Sequence, residues 1–267
     1  MKLTHTEHYM QWQEISGNWV YLPRREVKGI VHFLGGAFVA TAPQVSYRSI
    51  LEQLSQAGFG IIATPFLNTF DHFAIAREVL NRFETAIARL QRTNQLKTGY
   101  IPIYGIGHSM GCKLHLLIGS LYDVERAGNI LISFNNYPAS RAIPFMEQFN
   151  VTPMLNVEFA PSPQETEKLI AEHYNVRRNL LLKFTQDELD QTVNLNSILK
   201  NRFSDMITLR TLKGTHLTPL SQNIQWQTGD FFTPIDAIGQ WFNQGLSRNL
   251  QNLRHELVTW LNPMSVF

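Results

Sequence analysis

The stretch "YIPIYGIGHSMGCKLHLLIGS", residues 100–120, decides how this chain is read. A run of β-formers from Tyr100 to Tyr104 enters Gly105-x-Gly107-His108-Ser109-Met110-Gly111, and an apolar pattern of helical period follows at once, from Met110 to Leu121. Gly107 to Gly111 fits G-x-S-x-G, in which a serine occupies the apex of a sharp strand-to-helix turn. Small neighbours are required there, because the turn strains the backbone and a side chain at either glycine would collide with adjacent elements. The turn lifts the serine hydroxyl out of a packed sheet. It also puts the Met110 amide at a helix N-terminus, where it can face a developing negative charge. The competing reading of Ser109 is a structural serine in a tight turn.

Outward from this stretch, apolar runs bounded by Gly and Pro alternate with longer segments of helical period, the pattern of a parallel sheet with crossover helices. Strands are expected at Gly17–Leu22, Lys28–Leu34, 58–66, Tyr100–Tyr104, Asn129–Phe134, 179–184 and 206–212. Helices are expected at Tyr47–Ala57, Phe73–Leu96 and Met110–Leu121, and over much of Pro234–Leu261. Residues 136–178 break this rhythm with five prolines and the helical stretch "SPQETEKLIAEHY", and they read as an inserted lid. The fold class is therefore α/β, one domain over residues 1–267, with a mostly parallel central sheet flanked by helices.

A serine hydroxyl is a weak nucleophile at neutral pH, so the turn requires a histidine base and an acid to orient it, later in the chain in the order Ser, Asp/Glu, His. "NLLLKF" is followed by "TQDELDQT", which places Asp187 just past a strand's carboxyl end; Asp190 is the reserve acid, and Asp187 could also cap a short helix. "MITLRTL" is followed by "KGTHLTP", which places His216 on the next strand-end loop. The oxyanion needs a second backbone N–H beside that of Met110. Gly35-Gly36-Ala37-Phe38 directly follows a strand, with Gly36 and Ala37 as the favoured donors and Phe38 at the pocket.

His108 reads as a packing and hydrogen-bonding residue under the turn, close to the pocket. Asp71 reads first as an N-cap, and the functional alternative is that His72 lines the pocket rim. Phe145, Met146, Phe149, Met154 and Phe159 suit an acyl-chain cover and a packing layer equally. Cys112 follows the turn and is expected to be buried.

Composition narrows the partners. A net charge of +2 lacks the basic stripe that a phosphate backbone requires, so nucleic acid is not an expected partner. The single cysteine excludes an intramolecular disulfide and fits a reducing, cytoplasmic setting. No signal-like N-terminus and no run of about 18 apolar residues is present, which leaves peripheral contact with a lipid surface open. No His or Glu pair falls at metal-ligand spacing, and G-x-G-x-x-x-G is one residue out of step with the dinucleotide fingerprint. No metal or cofactor is expected, and the sequence is silent on oligomeric state.

The set "HFLGGAFVATAPQVSYR", "GFGIIATPF…TFDH", "GHSMGCKLHLL", "LLLKFTQDELDQT" and "LKGTHLTP" resembles an uncharacterised α/β-hydrolase-like family of cyanobacteria and plastids, a domain of unknown function, from about residue 15 to about residue 245. The resemblance implies the α/β-hydrolase fold, a Ser109, Asp187, His216 triad and a photosynthetic lineage. It implies no substrate. Leu34 stands where many lipases carry a histidine ahead of the glycines. The expected activity is that of a serine esterase, lipase or thioesterase. The alternatives are a binding or scaffold protein on the same fold, and an acyltransferase or carbon–carbon hydrolase using the same triad.

Overall fold

Parallel strands covered on both faces read as continuous apolar runs, and three segments of this chain are buried at every residue: β3 (Gly29–Leu34), β4 (Phe59–Ala63) and β6 (Gly128–Ile132). In the computed structural model, which describes residues 11–139, 158–221 and 245–262, these lie in one sheet. Its other strands are β1 (Gln13–Ile15), β2 (Asn18–Tyr21), β5 (Ile103–His108), β7 (Asn179–Phe184) and β8 (Ile207–Leu212). The order is β1-β2-β4-β3-β5-β6-β7-β8, antiparallel in the first two pairings and parallel from β4 to β8. The expected mostly parallel sheet is therefore present.

Helices α1 (Pro43–Ser46), α2 (Arg48–Gln56), α3 (His72–Arg92) and α4 (Met110–Leu121) follow their strands. Further on come α5 (Pro163–His173), α6 (Thr192–Phe203) and α7 (Gly245–Leu261). One sheet face packs Ile50, Leu51 and Leu54 of α2 with Leu253, Leu257 and Leu261 of α7. The other carries α3 through Ile75, Ala76 and Val79, then α4, then α5 and α6 through Ile170, Leu195 and Leu199. Asp71 caps α3 by accepting from the Ala74 N–H at 2.9 Å. The helical stretch read as part of a lid is α5, whose Ile170 packs with Cys112 and Leu116 as part of the β6–β7 crossover. Residues 140–157, where the rest of that lid was expected, lie outside the described residues.

Strand β5 begins three residues later than its β-formers suggest and continues through Gly105 and Gly107. Both glycines answer to close approach. A Cβ on Gly105 would lie 2.3 Å from Asn129 Oδ1, and one on Gly107 would lie 2.6 Å from the Gly111 and Cys112 backbone. Gly111 is tighter still, with its added Cβ 2.1 Å from the Leu34 carbonyl oxygen. Gly111→Ala is accordingly expected to lower the free energy of unfolding by about 3 kcal/mol through overpacking. A urea midpoint equal to wild type would show that α4 can move away from β3 without cost.

A buried polar row crosses the α3/α4 face of the sheet at one register level: His32, Gly105, Asn129 and Asn179. Thr64 Oγ1 donates to Asn18 Oδ1 at 2.6 Å and so accepts from His32 Nε2 at 3.1 Å. His32 Nδ1 accepts from Arg126 Nη2 at 3.2 Å, which fixes His32 as the neutral Nε2–H tautomer. His115 of α4 fills the space over Gly105 and bonds to the Ile106 carbonyl. Asn129 donates to Tyr174 Oη, which donates to Asn179 Oδ1. Pairing of this kind lets polar groups sit inside a core that otherwise excludes them, with Asn129 Oδ1 and Arg126 Nη1 left without a hydrogen-bond partner among the described residues.

Candidate active site

Register brings the sequence-distant residues to one edge. His108 pairs with Ile132, Ile132 with Leu182, and Phe184 with Leu212, so the loops after β5, β6, β7 and β8 all leave the carboxyl end of the sheet. Ligands of open α/β sheets collect at that edge. The β7 and β8 loops are tied together by Thr185 N–H to Leu212 O and Gln186 N–H to Gly214 O, both 2.9 Å. The β8 loop then runs back across the strand ends to α2, where Ser221 N–H reaches Ser46 O at 2.7 Å and the Ser221 hydroxyl accepts from Ser49 N–H. That return path carries His216 from a distant strand toward the central one.

Ser109 has φ 55° and ψ −118°, a region that side chains other than glycine rarely adopt. The strain is held by Ser109 N–H to Ile132 O at 2.9 Å on one side and by Cys112 N–H to Ser109 O at 3.0 Å on the other. The serine is 8% exposed. Its Oγ accepts from Asn135 Nδ2 at 3.0 Å. Among the described residues, no hydrogen bond joins Oγ to His216.

His216 Nδ1 lies 2.9 Å from Asp187 Oδ2 and 3.1 Å from Oδ1. A carboxylate only accepts, so Nδ1 carries a proton, and it is the neutral form of the ring that offers a lone pair at Nε2. Asp187 also accepts from Leu189 N–H at 3.0 Å. Burial would raise the Asp187 carboxyl, but the hydrogen bond from His216, electrostatic attraction to that ring and the Leu189 N–H outweigh it and hold the group below its usual range. Asp190 points elsewhere. It accepts from the amide and hydroxyl of Thr192 at 3.0 and 2.7 Å, and burial, with Asp187 adding, raises its carboxyl. The imidazole partner is thus Asp187, as read first from the sequence, and Asp190 braces the start of α6.

A strut of hydrogen bonds runs beneath the serine. Gly36 N–H donates to Tyr47 Oη at 2.8 Å, Tyr47 O–H donates to His108 Nδ1 at 2.8 Å, and His108 Nε2–H donates to the His216 carbonyl at 2.9 Å. Since the carbonyl can only accept, the direction of the whole chain is determined. His108 is neutral, its pKa lowered to about 3 by burial and then by the neighbouring His216. The strut joins the glycine loop to the loop that carries the base.

It also engages one of the three amides read as oxyanion donors, that of Gly36. Those of Met110 and Ala37 have no acceptor among the described residues.

The other pocket residues separate. Phe38 is 51% exposed beside the glycine loop. His72 is buried, stacks on Phe159 at 4.5 Å and hydrogen-bonds through its backbone to Ala160 O. Phe145 and Met146 lie outside the described residues. Cys112 is buried and its thiol donates toward Gly107 O and Ile132 O; burial raises its pKa. Sequence reading missed Asn135 and the bridging role of Tyr47. A polar pair just past a strand next to the serine strand was the available signal for Asn135. Among the described residues no group of three or more His, Cys, Asp or Glu could hold a metal, and no helix is long and apolar enough to cross a membrane.

The chain is similar in structure to carboxyl esterase 2 of the mycorrhizal fungus Tuber melanosporum, with TM-score 0.57 and 14% identity over 97% of this chain and 88% of that one. A thermostable carboxyl esterase of Bacillus coagulans gives 0.55 at 13% identity, covering 93% and 94%. A monoacylglycerol lipase of Paleococcus ferrophilus gives 0.52 at 15%, covering 94% and 98%. At such identities the likeness establishes the fold, that of the α/β-hydrolases. No curated protein matches by sequence. A family model described as "Protein of unknown function (DUF1350)" matches residues 11–263.

Proposed function

The chain belongs to this family of proteins of unknown function, and we propose that it is a serine hydrolase cleaving a carboxylic ester or thioester through an acyl-enzyme. The observation that carries the reading is Ser109 at φ 55° on the central strand's end, with the His216–Asp187 pair on loops of the same edge. In this mechanism Ser109 Oγ attacks the acyl carbon as its proton passes to His216 Nε2, and the carbonyl electrons move onto the carbonyl oxygen. The Met110 and Ala37 amides stabilise that oxygen. Collapse expels the alcohol or thiol with the proton from His216. Water, activated by the same imidazole, then releases the acid. Asp187 orients the ring and stabilises its cationic form.

Asp187→Asn should then lower turnover about 10³- to 10⁴-fold, because the neutral amide no longer favours the tautomer with the Nδ1 proton. Asp190→Asn should leave turnover within a few-fold and change stability by no more than about 1 kcal/mol, since an amide oxygen can still accept from the Thr192 N–H. Steady-state rates on the two variants check this, and the reverse ranking would reassign the acid.

The test of the reading is a fluorophosphonate probe with intact-mass detection and peptide mapping, followed by nitrophenyl esters of increasing chain length. One adduct on Ser109 supports it. A folded protein that takes no adduct favours a second reading, a binding protein on the hydrolase fold. That reading draws on one observation: Oγ bonds to Asn135 and not to His216.

A further inference from the structure

Asn135 stands where chain and chemistry converge. Strand β6 ends at Ile132, and Ser133 at φ 53° turns the chain back over the sheet edge, with its N–H bonded to Leu182 O at 2.8 Å. The residues on either side of Asn135 are then tied to the loop that follows Asp187. Gln191 N–H donates to Phe134 O at 2.7 Å, and Asn136 N–H donates to Gln191 Oε1 at 2.5 Å. Asn136 Nδ2 also reaches Pro163 O at 2.9 Å. Strand β7 and the Gln191 loop hold the backbone of this turn and the Asn136 side chain ties it to α5, so the Asn135 side chain is presented to Ser109 Oγ in a preorganised way.

The direction of the bond matters. Nδ2 donates and Oγ accepts, which occupies a lone pair of the serine oxygen and leaves its proton available for His216. Asn135 also approaches from the β6 side of the serine, whereas the Gly35–Phe38 loop lies on the β3 side. Its target is therefore Oγ itself, and the oxyanion donors serve the carbonyl oxygen.

Resting on the hydrolase reading, we infer that Asn135 is a catalytic residue whose side-chain amide stabilises negative charge on Ser109 Oγ. In acylation the Oγ–H bond breaks toward His216 Nε2 while the Oγ–C bond forms. In deacylation the Oγ–C bond breaks, its electron pair returns to Oγ, and His216 gives the proton back. In the transition state of each step, with the proton partly on His216 and the Oγ–C bond partly formed or partly broken, Oγ carries more negative charge than the resting hydroxyl and accepts a hydrogen bond most strongly. Between them it is an ester oxygen, a weaker acceptor. The contact is thus strongest where Oγ carries most charge, which is the condition for acceleration.

The experiment compares wild type, Asn135→Ala and Asn135→Asp. The second-order rate of fluorophosphonate labelling is read by intact mass from pH 5 to 9, with kcat and KM for a nitrophenyl ester alongside. Asn135→Ala should label about 10- to 100-fold more slowly, with kcat falling and KM nearly unchanged. Asn135→Asp keeps the shape but offers only acceptors when ionised. Its rate relative to wild type should be lowest at pH 8 to 9 and rise toward pH 5, where a protonated carboxyl can donate, a dependence that packing alone would not produce.

A folded Asn135→Ala that labels at the wild-type rate would overturn the inference, as would an Asn135→Asp profile parallel to wild type. If the alanine variant does not fold, the isosteric Asp variant decides alone. Wild type without an adduct would overturn the hydrolase reading and this inference with it. A labelled wild type with unaffected variants would overturn this inference only.

Discussion

Ser109→Ala should lower ester or thioester turnover about 10⁴- to 10⁶-fold, because every later step depends on the Oγ–acyl bond. The backbone tie from residue 109 to Ile132 O survives the substitution, and only Asn135 Nδ2 loses its acceptor. Unfolding free energy should consequently fall by no more than about 1 kcal/mol. His216→Ala should lose activity to a similar extent but also lose about 1–3 kcal/mol of stability. The Asp187 side chain is 0% exposed and would be left without its imidazole partner. Rates paired with urea unfolding curves check both variants. Wild-type turnover in a pure, folded Ser109→Ala protein would remove the nucleophile and the mechanism with it.

Acidification should unfold the protein by forcing protons onto its buried histidines. Burial lowers the pKa of His72, His108 and His115 to about 3 from an ordinary 6.5, and it lowers His32 as well. Lys113 adds to the shift at His72, His216 at His108, and Arg126 at His115 and His32. The folded state holds these rings neutral while the unfolded chain takes up protons below pH 6.5. Stability from this source is therefore complete above that pH and is lost as the pH falls toward 3. At pH 5 the loss is about 2 kcal/mol for each ring, or about 6 kcal/mol for the three with values near 3. A domain is typically stable by about 5–15 kcal/mol, so the folded state should be weakened at pH 5 and fail as the pH falls toward 4. Asp187, held below its usual range, contributes only at still lower pH. Circular dichroism with urea titrations at pH 7.5, 6, 5 and 4 measures the slope. A free energy flat across that range would show that the rings take up protons within the folded structure.

The amino-acid sequence by itself determined most of the elements and the identity of the serine turn. Met110–Leu121 and Asn179–Phe184 occur with the bounds their periodicity predicts, because apolar spacing and flanking Gly and Pro are local signals. Strand β5 was displaced in the sequence reading because Gly105 and Gly107 carry no strand propensity; His115 above one and the start of α4 beside the other require them. Helix α6 and the strand β1 were not read at all: α6 is held by Leu195 and Leu199 packing against distant residues, and β1 is only three residues long, paired to β2 across the Ser16–Gly17 turn.

The order Ser, Asp, His was legible along the chain, and that order selected Asp187 and His216 as candidates. Only the tertiary structure decided which acid meets the imidazole, that Gly36 N–H belongs to Tyr47, and that Asn135 holds Oγ. Each of these is a hydrogen bond between residues 11 to 29 positions apart. Such bonds are set by strand register and by the path of the β8 loop back over the sheet, and no local pattern of residue types encodes them.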